Sequence, residues 1–388
     1  MVGARIFCFV VLLTLFAHVA TAAVVRVRLD SRQSPFKISG MMLRFPGQPV
    51  PEMGFQSVEV QWVRGAGRFF DWTVRARDNG RIVARFRAPS FEVSGTMIRS
   101  GLQSVPDRLS LLPRRNGKSD LVATMDVEEY LKGVLPMEMP VAWPIEALKA
   151  QAIAARTFTL NRIAERDRVG GSYHVEANVM DQVFKFDTGL SSAEKFKIET
   201  AVSETRGMVL KDKKDRAIAA YFHADCGGQT EDARSVWGSG PSMGLAVDAS
   251  CPVHSVWQAR LSRKSIAKHL SQNDPTMGSK KLASLVTLSK TGTGRVDAMK
   301  AVWSDGSESS MSGHAFRMAM GHELIKSTKF EFRSDAASGE IVFNGSGHGH
   351  GVGLCQWGAR QMASQGKKFE QILAHYYPNA TLTGLRSP

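Results

Sequence analysis

The sequence predicts an α+β fold, with a mixed β-rich core, several packed helices around a cleft, and a smaller β-rich N-terminal region. Three observations predict it. In the front third, apolar and charged residues alternate with a period of two, as in Val24, Val25, Arg26, Val27, Arg28 and Leu29, and again in Ile82, Val83, Arg85, Phe86 and Arg87, the pattern of half-buried strands. An Ala-rich stretch over 145–166 sets Ile145, Leu148, Ala152, Ala155 and Thr159 at helical spacing behind Pro144, a first-turn proline. Beyond Asn178, short helical and strand patterns interleave.

Taken in order, the chain opens with Arg5 as the only charge before an apolar run over 6–17, followed by the small residues Ala20, Thr21 and Ala22. That is a signal peptide pattern over residues 1–22, with the mature chain starting near Ala23. The protein is therefore expected to be exported, to a periplasmic or extracellular location. No transmembrane anchor is expected, because no stretch approaches the roughly 20 apolar residues a spanning helix needs. Cys8 lies within the apolar run without a lipobox.

Residues 23–120 read as a basic β-rich region, with turns at 46–51 and 65–67. From Val24 to Asp120 there are 17 Lys and Arg against 8 Asp and Glu, hence +9, out of a formal +14 for the whole chain. Such a field attracts polyanions. No zinc-finger spacing or aromatic RNA-reading motif accompanies it, so no nucleic-acid partner is expected, and anionic wall polymers suit an exported chain better.

Residues 121–388 read as a second region, of mixed helices and strands. Asp126 with Glu129 resembles an N-terminal capping box ahead of Val127, Tyr130, Leu131 and Val134. Pro136 and Pro140 bracket Glu138, which is expected in a turn between helices with Met139 extended. A helix over 192–205 ends at Gly207. Strands are expected over 207–210, 217–222, 292–296, 298–302 and 341–343, and two closing helices over 356–365 and 369–377.

Glu138 is flanked by Val134, Leu135, Met137, Met139 and Pro140, and apolar neighbours raise a carboxyl pKa toward the range of a general acid. Gln151 and Arg156 project from the Ala-rich helix. After a strand, Gly227 and Gly228 make a turn with backbone N–H groups suited to a sugar or a carboxylate, followed by Thr230. Five glycines surround His348 and His350 in the nonapeptide 345–353, which leads to a helix opening near Gln356. Cysteine placement leaves three readings open. A Cys226–Cys251 disulfide would close a loop of about 25 residues and contribute roughly 3 kcal/mol. His223, Cys226, Cys251 and His254 spell a tetrahedral zinc set. Cys355 beside His348 and His350 is a third possibility, a thiol nucleophile with its base.

Four blocks in order carry a resemblance. They are Tyr130-Leu131-Lys132-Gly133-Val134-Leu135-Pro136-Met137-Glu138-Met139-Pro140, then Trp143-Pro144-Ile145-Glu146-Ala147-Leu148-Lys149-Ala150-Gln151-Ala152-Ile153-Ala154-Ala155-Arg156-Thr157. The others are Gly227-Gly228-Gln229-Thr230-Glu231 with Val236-Trp237-Gly238, and Gly349-His350-Gly351-Val352-Gly353-Leu354-Cys355-Gln356-Trp357-Gly358-Ala359. Over about 121–385 the chain resembles the sporulation stage II protein D and amidase-enhancer family. The resemblance implies a lytic transglycosylase acting on peptidoglycan glycan strands stripped of stem peptides, with Glu138 as acid and base and Arg156 in the active-site cleft. Gln151, Gly227, Gly228, Thr230, His348, His350 and Gln356 become the substrate-binding candidates. Cys226 and Cys355 stand where many relatives have serine. Binding to the wall or stimulation of a cell-wall amidase, without cleavage, is the alternative. A glycoside hydrolase would need a second carboxylate, and Asp181, Asp187 and Glu231 are the candidates for it.

Overall fold

The computed structural model describes residues 23–48, 54–101, 103–179, 181–238, 251, 255–273 and 280–384; the expected signal peptide at 1–22 and His254 lie outside the described residues. The molecule is a mixed α+β fold with a large sheet at the front. Its strands are β1 (Val24–Gln33), β2 (Phe36–Arg44), β3 (Phe55–Arg64), β4 (Phe70–Ala76), β5 (Ile82–Ala88), β6 (Phe91–Ser100), β7 (Gln103–Ser104), β8 (Arg108–Pro113) and β9 (Lys118–Asp126). With the short β10 (Val175–Glu176) they form one ten-stranded sheet in the order β10-β1-β9-β8-β6-β2-β3-β4-β5, β7 pairing with β6. The period of two places Val58, Val60, Trp72, Val74, Phe91, Val93, Leu109 and Leu111 in one core, while Arg64 and Arg85 stay exposed.

The expected border at 120/121 falls inside β9, which runs on to Asp126. There the aspartate carboxylate accepts the Glu128 N–H at 2.7 Å and caps α1 (Val127–Glu138). Val25 and Val27 of β1 pack into the helical core, so the front sheet and the helices share a strand rather than meeting at a linker.

The helix α2 (Ile145–Arg168) is central to that second core. Ala147, Ala150, Ala152, Ala154 and Ala155 are wholly buried, and their small side chains admit close neighbours. Those neighbours include α1, α3 (Ser192–Ser203), β11 (Val209–Lys211), and two helices from the far end of the chain. Next come β12 (Phe222–His223) and α4 (Ala233–Trp237). Of the expected strand over 217–222 only Phe222 belongs to a named strand, while Ala217 forms an isolated bridge to Lys211.

A separate lobe follows: β13 (Val256–Leu261), α5 (Arg263–Asn273), β14 (Leu282–Lys290), β15 (Val296–Trp303), β16 (Glu308–Ser312), α6 (Gly313–Met320), β17 (Phe330–Ser334) and β18 (Ile341–Ser346). Its two three-stranded sheets enclose their own core of Trp257, Ile266, Trp303, Phe316, Phe330 and Phe343. The expected strand at 292–296 is instead a turn closed by Gly294 N–H on the Thr291 carbonyl, with β15 starting at Val296. The chain then re-enters the helical core through β19 (Leu354–Cys355), α7 (Gln356–Ser364), α8 (Phe369–Tyr376) and β20 (Thr381–Thr383). β19 pairs in parallel with β12, setting His223 opposite Cys355.

Candidate functional site

Glu138 is the last residue of α1, not part of a turn. Pro136 sits in the final turn, where one missing N–H donor does not end a helix whose Val134 and Leu135 are buried in the core. Met139 then leaves in an extended conformation (φ −133°), as a residue before proline must. The Glu138 side chain keeps a partly exposed face while protein atoms surround its carboxyl. Oε1 accepts the Val183 N–H at 3.0 Å and Oε2 accepts from Gln356 Nε2 at 3.4 Å. Burial pushes its pKa above the ordinary 4.5, and the two hydrogen bonds work against that rise.

What delivers Val183 is a segment crossing α1 and α2. The Gln182 amide donates to the Ala155 carbonyl at 3.2 Å and accepts from Thr159 Oγ1 at 3.2 Å. Lys185 N–H reaches the Gly133 carbonyl at 3.2 Å. A Cβ on Gly133 would stand 2.5 Å from the Lys185 oxygen and from the Phe184 ring, so this helical glycine is needed for the crossing. Tyr130 stacks on Phe184 with ring centroids 5.1 Å apart, and its buried hydroxyl has no partner among the described residues. Burial, then the charges of Asp181 and Glu138, hold that phenol well above its ordinary pKa.

The structure brings Gln356 to Glu138 and sends other candidates elsewhere. Arg156 is 1% exposed and forms a two-pronged ion pair with Glu128 (2.9 and 2.7 Å), adding bonds to the Met208 and Val202 carbonyls. It ties α1, α2 and the end of α3 together and makes no bond to Glu138, which corrects the expectation of a cleft arginine. Gln151 is wholly buried, and neither amide atom has a partner among the described residues. Asp181 is held by Arg162 at 2.8 Å and by the Glu176 N–H at 2.9 Å. Asp187 is exposed and accepts the Gly189 N–H at 3.3 Å. Glu231 is buried under the Thr291 and Thr293 hydroxyls. Among the described residues no second carboxylate hydrogen-bonds to Glu138 or to its two donors.

The glycine-rich segments also differ from expectation. Their close approaches are to the chain itself: a Cβ on Gly351 would stand 2.5 Å from the buried Arg295 guanidinium, and one on Gly353 would collide with the Tyr221 carbonyl. Gly227 spends its N–H on Asp225 Oδ1 (2.9 Å) and its carbonyl on Lys329 Nζ (2.9 Å); Gly228 follows at φ +105° and Thr230 is buried. His348 pairs through its backbone with Asp225, and its imidazole pKa is lowered by burial and by Arg317. His350 Nδ1 accepts the Val352 N–H at 3.0 Å, and its ring lies 5.2 Å from Trp237 and 5.6 Å from His223; burial holds its pKa well down.

Cys226, Cys251 and Cys355 are free thiols, so the expected Cys226–Cys251 disulfide is not formed. The reason is geometric: three sulfurs and an imidazole converge on one point. Ligand atoms of His223, Cys226 and Cys355 lie within 4.8 Å of one another, and the Cys251 and Cys355 sulfurs are 3.7 Å apart. Four ligands about 2.3 Å from a zinc ion would place sulfurs about 3.8 Å apart. His223 Nδ1 engages the Val352 carbonyl at 3.0 Å, leaving Nε2 buried and without a partner, the arrangement that presents a ring lone pair to a metal. The Cys226 and Gly358 N–H groups point at the Cys355 sulfur (3.3 and 3.5 Å), which favours thiolate character. Hydrogen bonds from the neighbouring thiols lower the Cys226 pKa, and the hydrogen bonds to Cys226 push Cys251 up to about 12 and Cys355 up with it. The donor set fits zinc, with Cys355 completing it.

Sequence reasoning missed Val183, Tyr130 and the indole pair Trp143–Trp357 (5.0 Å), of which Trp357 directly follows Gln356 and Trp143 comes four residues after Met139. Only Gly133, a glycine inside a helix, hinted at the crossing segment. Two hollows of about 500 and 740 Å³ lie elsewhere, on the front sheet around Arg44 and Arg108 and on the lobe around Phe330 and Phe332. The carboxyl environment, not enclosed volume, marks the site.

Comparison with known proteins gives a match to the family model described as Stage II sporulation protein over residues 115–211. Stage II sporulation protein D of Bacillus amyloliquefaciens is 31% identical over 275 residues, covering 68% of this chain and 75% of that protein. The amidase enhancer of Bacillus subtilis (strain 168) is 30% identical over 298 residues, 65% of this chain and 40% of the relative. An uncharacterized protein of Brachyspira hyodysenteriae is 32% identical over 259 residues, 66% of each. The chain thus spans less than two thirds of the length of the last two.

Proposed function

Because this chain belongs to the stage II sporulation protein D and amidase-enhancer family, with a cell-wall related role, we propose that it is an exported lytic transglycosylase acting on peptidoglycan glycan strands stripped of stem peptides. The observation that carries the reading is a single carboxyl, raised in pKa by burial and held at both oxygens, with no second carboxylate bonded to it or to its donors among the described residues.

One carboxyl suffices when the sugar supplies its own nucleophile. Glu138 gives its proton to the glycosidic oxygen as the bond from that oxygen to the anomeric carbon breaks. The 6-hydroxyl oxygen of the same muramic residue closes on the anomeric carbon, and the Glu138 carboxylate takes the hydroxyl proton. The net change moves one proton between sugar oxygens, leaves a 1,6-anhydro end, and returns Glu138 protonated. Val183 N–H and the Gln356 amide stabilise the carboxylate in mid-reaction and hold it in one orientation. We further propose that His223, Cys226, Cys251 and Cys355 hold a structural zinc ion, which would fix the strand entering α7 and hence Gln356.

Purified full-length protein incubated with stripped strands is expected to release products one water lighter than reducing-end fragments. Glu138→Gln should lower the rate at least about 100-fold, the scale of general acid catalysis. Products with reducing ends would instead assign a hydrolase. The name of the amidase enhancer favours a second reading, binding that stimulates a cell-wall amidase; it predicts that Glu138→Gln keeps both glycan binding and stimulation.

A further inference from the structure

The guanidinium of Arg360 is held in an unusual way. It lies 4.8 Å from the Trp357 ring centroid and 5.5 Å from that of Trp143, over a pair of indoles tilted at 58°. Cation–π contact engages the flat face of a guanidinium and leaves its N–H edge pointing outward. Among the described residues that edge finds no carboxylate, carbonyl or other acceptor. The side chain is partly exposed.

Its position relates it to the acid. Arg360 follows Gln356 by four residues in α7, so the two share a helix face about 6 Å apart along the axis. Gln356 is the residue whose amide reaches Glu138. Trp143, which carries the second indole, is tied back toward the end of α1 by its backbone N–H, which donates to the Pro140 carbonyl at 3.0 Å. Lys197 donates to the Trp143 carbonyl at 2.7 Å, so a second cation flanks the same tryptophan. Glu146, three residues beyond Trp143, is already engaged by Lys149 and by the Phe369 N–H.

We propose that Arg360, braced on Trp357 and Trp143, is a binding site for a carboxylate carried on a sugar ring, one residue along the strand from the bond that Glu138 cleaves. In a peptidoglycan strand that group is the lactyl carboxylate of muramic acid. It is a free anion only where the stem peptide has been removed; where a peptide remains, it is a neutral amide that offers no charge to a guanidinium. A planar fork meets a carboxylate through two parallel hydrogen bonds, and bracing on the indoles limits the rotamer freedom lost on binding. This inference rests on the glycan reading above and names the residue that would make that reading selective for stripped strands.

The test measures dissociation constants by tryptophan fluorescence for the full chain carrying Glu138→Gln, so that ligand is not turned over. The ligands are stripped glycan oligomers, the same oligomers with the lactyl carboxylate converted to a primary amide, and chitin oligomers lacking the lactyl group. Free carboxylate should be favoured about tenfold over amide at low salt, with the preference shrinking as salt rises. Arg360→Met should reduce the ratio below about twofold, while Arg360→Lys, which keeps the charge but not the fork, should retain part of it. Thermal melts of both variants confirm that the fold survives. If Arg360→Met discriminates as well as the parent, or the parent binds glycan without preferring the acid, the carboxylate site is wrong and the glycan reading stands. If none of the glycans binds, both fall.

Discussion

At the residue scale, Glu138 is the proposed acid, and its titration is open to a direct check. The first step needs the protonated acid, so kcat/KM follows the protonated fraction and falls as pH rises through its pKa, which burial sets above 4.5. The Gln356 amide donates to the carboxylate and therefore lowers that pKa. In Gln356→Leu the donor is gone, the carboxyl holds its proton to higher pH, and the falling limb of the profile should move to the alkaline side. The maximal rate should drop about tenfold, the worth of one hydrogen bond to a charged group. A pH profile of kcat/KM that stays in place would show that Gln356 does not touch the acid. Glu138 was legible in sequence because Pro136, Pro140 and apolar neighbours mark it. Val183 was not, since a backbone N–H leaves no trace in residue identity. Arg156 was misread because sequence shows that a buried arginine needs a carboxylate and not which one: Glu128 and Glu138 both lie on α1, and Glu128 is the one that meets it.

At the element scale, the site depends on how α7 starts. Cys355 is the N-cap of α7, accepting the Gly358 N–H, and it pairs across β12–β19 with His223. Metal at the four-ligand cluster would lock that start and with it the reach of Gln356. The purified chain is expected to carry about one zinc per molecule. Chelation should lower Tm by several degrees and make the cysteines reactive to a thiol reagent, and cobalt(II) should restore the melt while giving thiolate-to-metal absorption. Metal-free protein with a Cys226–Cys251 bridge would dismiss the site. Spacing alone suggested the His223, Cys226 and Cys251 part of this set. It could not supply Cys355, 104 residues beyond Cys251, because only the parallel pairing of two two-residue strands brings the fourth ligand in. Strands that short carry no periodicity to read.

At the scale of the whole molecule, three cores are stacked along one chain, and sequence pattern separated only the first from the rest. The front alternation was long enough to reveal a sheet, whereas the lobe between β13 and β18 is built from strands whose partners lie up to 90 residues away along the chain, as in Val256 opposite Ser346. The front sheet carries the excess of positive charge, 17 Lys and Arg against 8 Asp and Glu over 24–120. It is proposed to hold the enzyme on anionic wall polymer. Deleting it is not a fair test, since β1 supplies Val25 and Val27 to the helical core and β9 leads into α1. Exposed arginines can be reversed without touching either strand: Arg64 at the end of β3, Arg68 in the following turn and Arg85 on β5. Replacing these three with glutamate changes the charge of the region from +9 to +3, by two units at each position. Binding to isolated walls should weaken about tenfold at low ionic strength, and the difference should fade toward 0.5 M salt as screening shortens to a few ångströms. Cleavage of short stripped oligomers, which meet only the Glu138 region, should be unchanged. Equal wall binding by the triple variant and the parent, with the same salt dependence, would place the wall-holding charge elsewhere on the molecule.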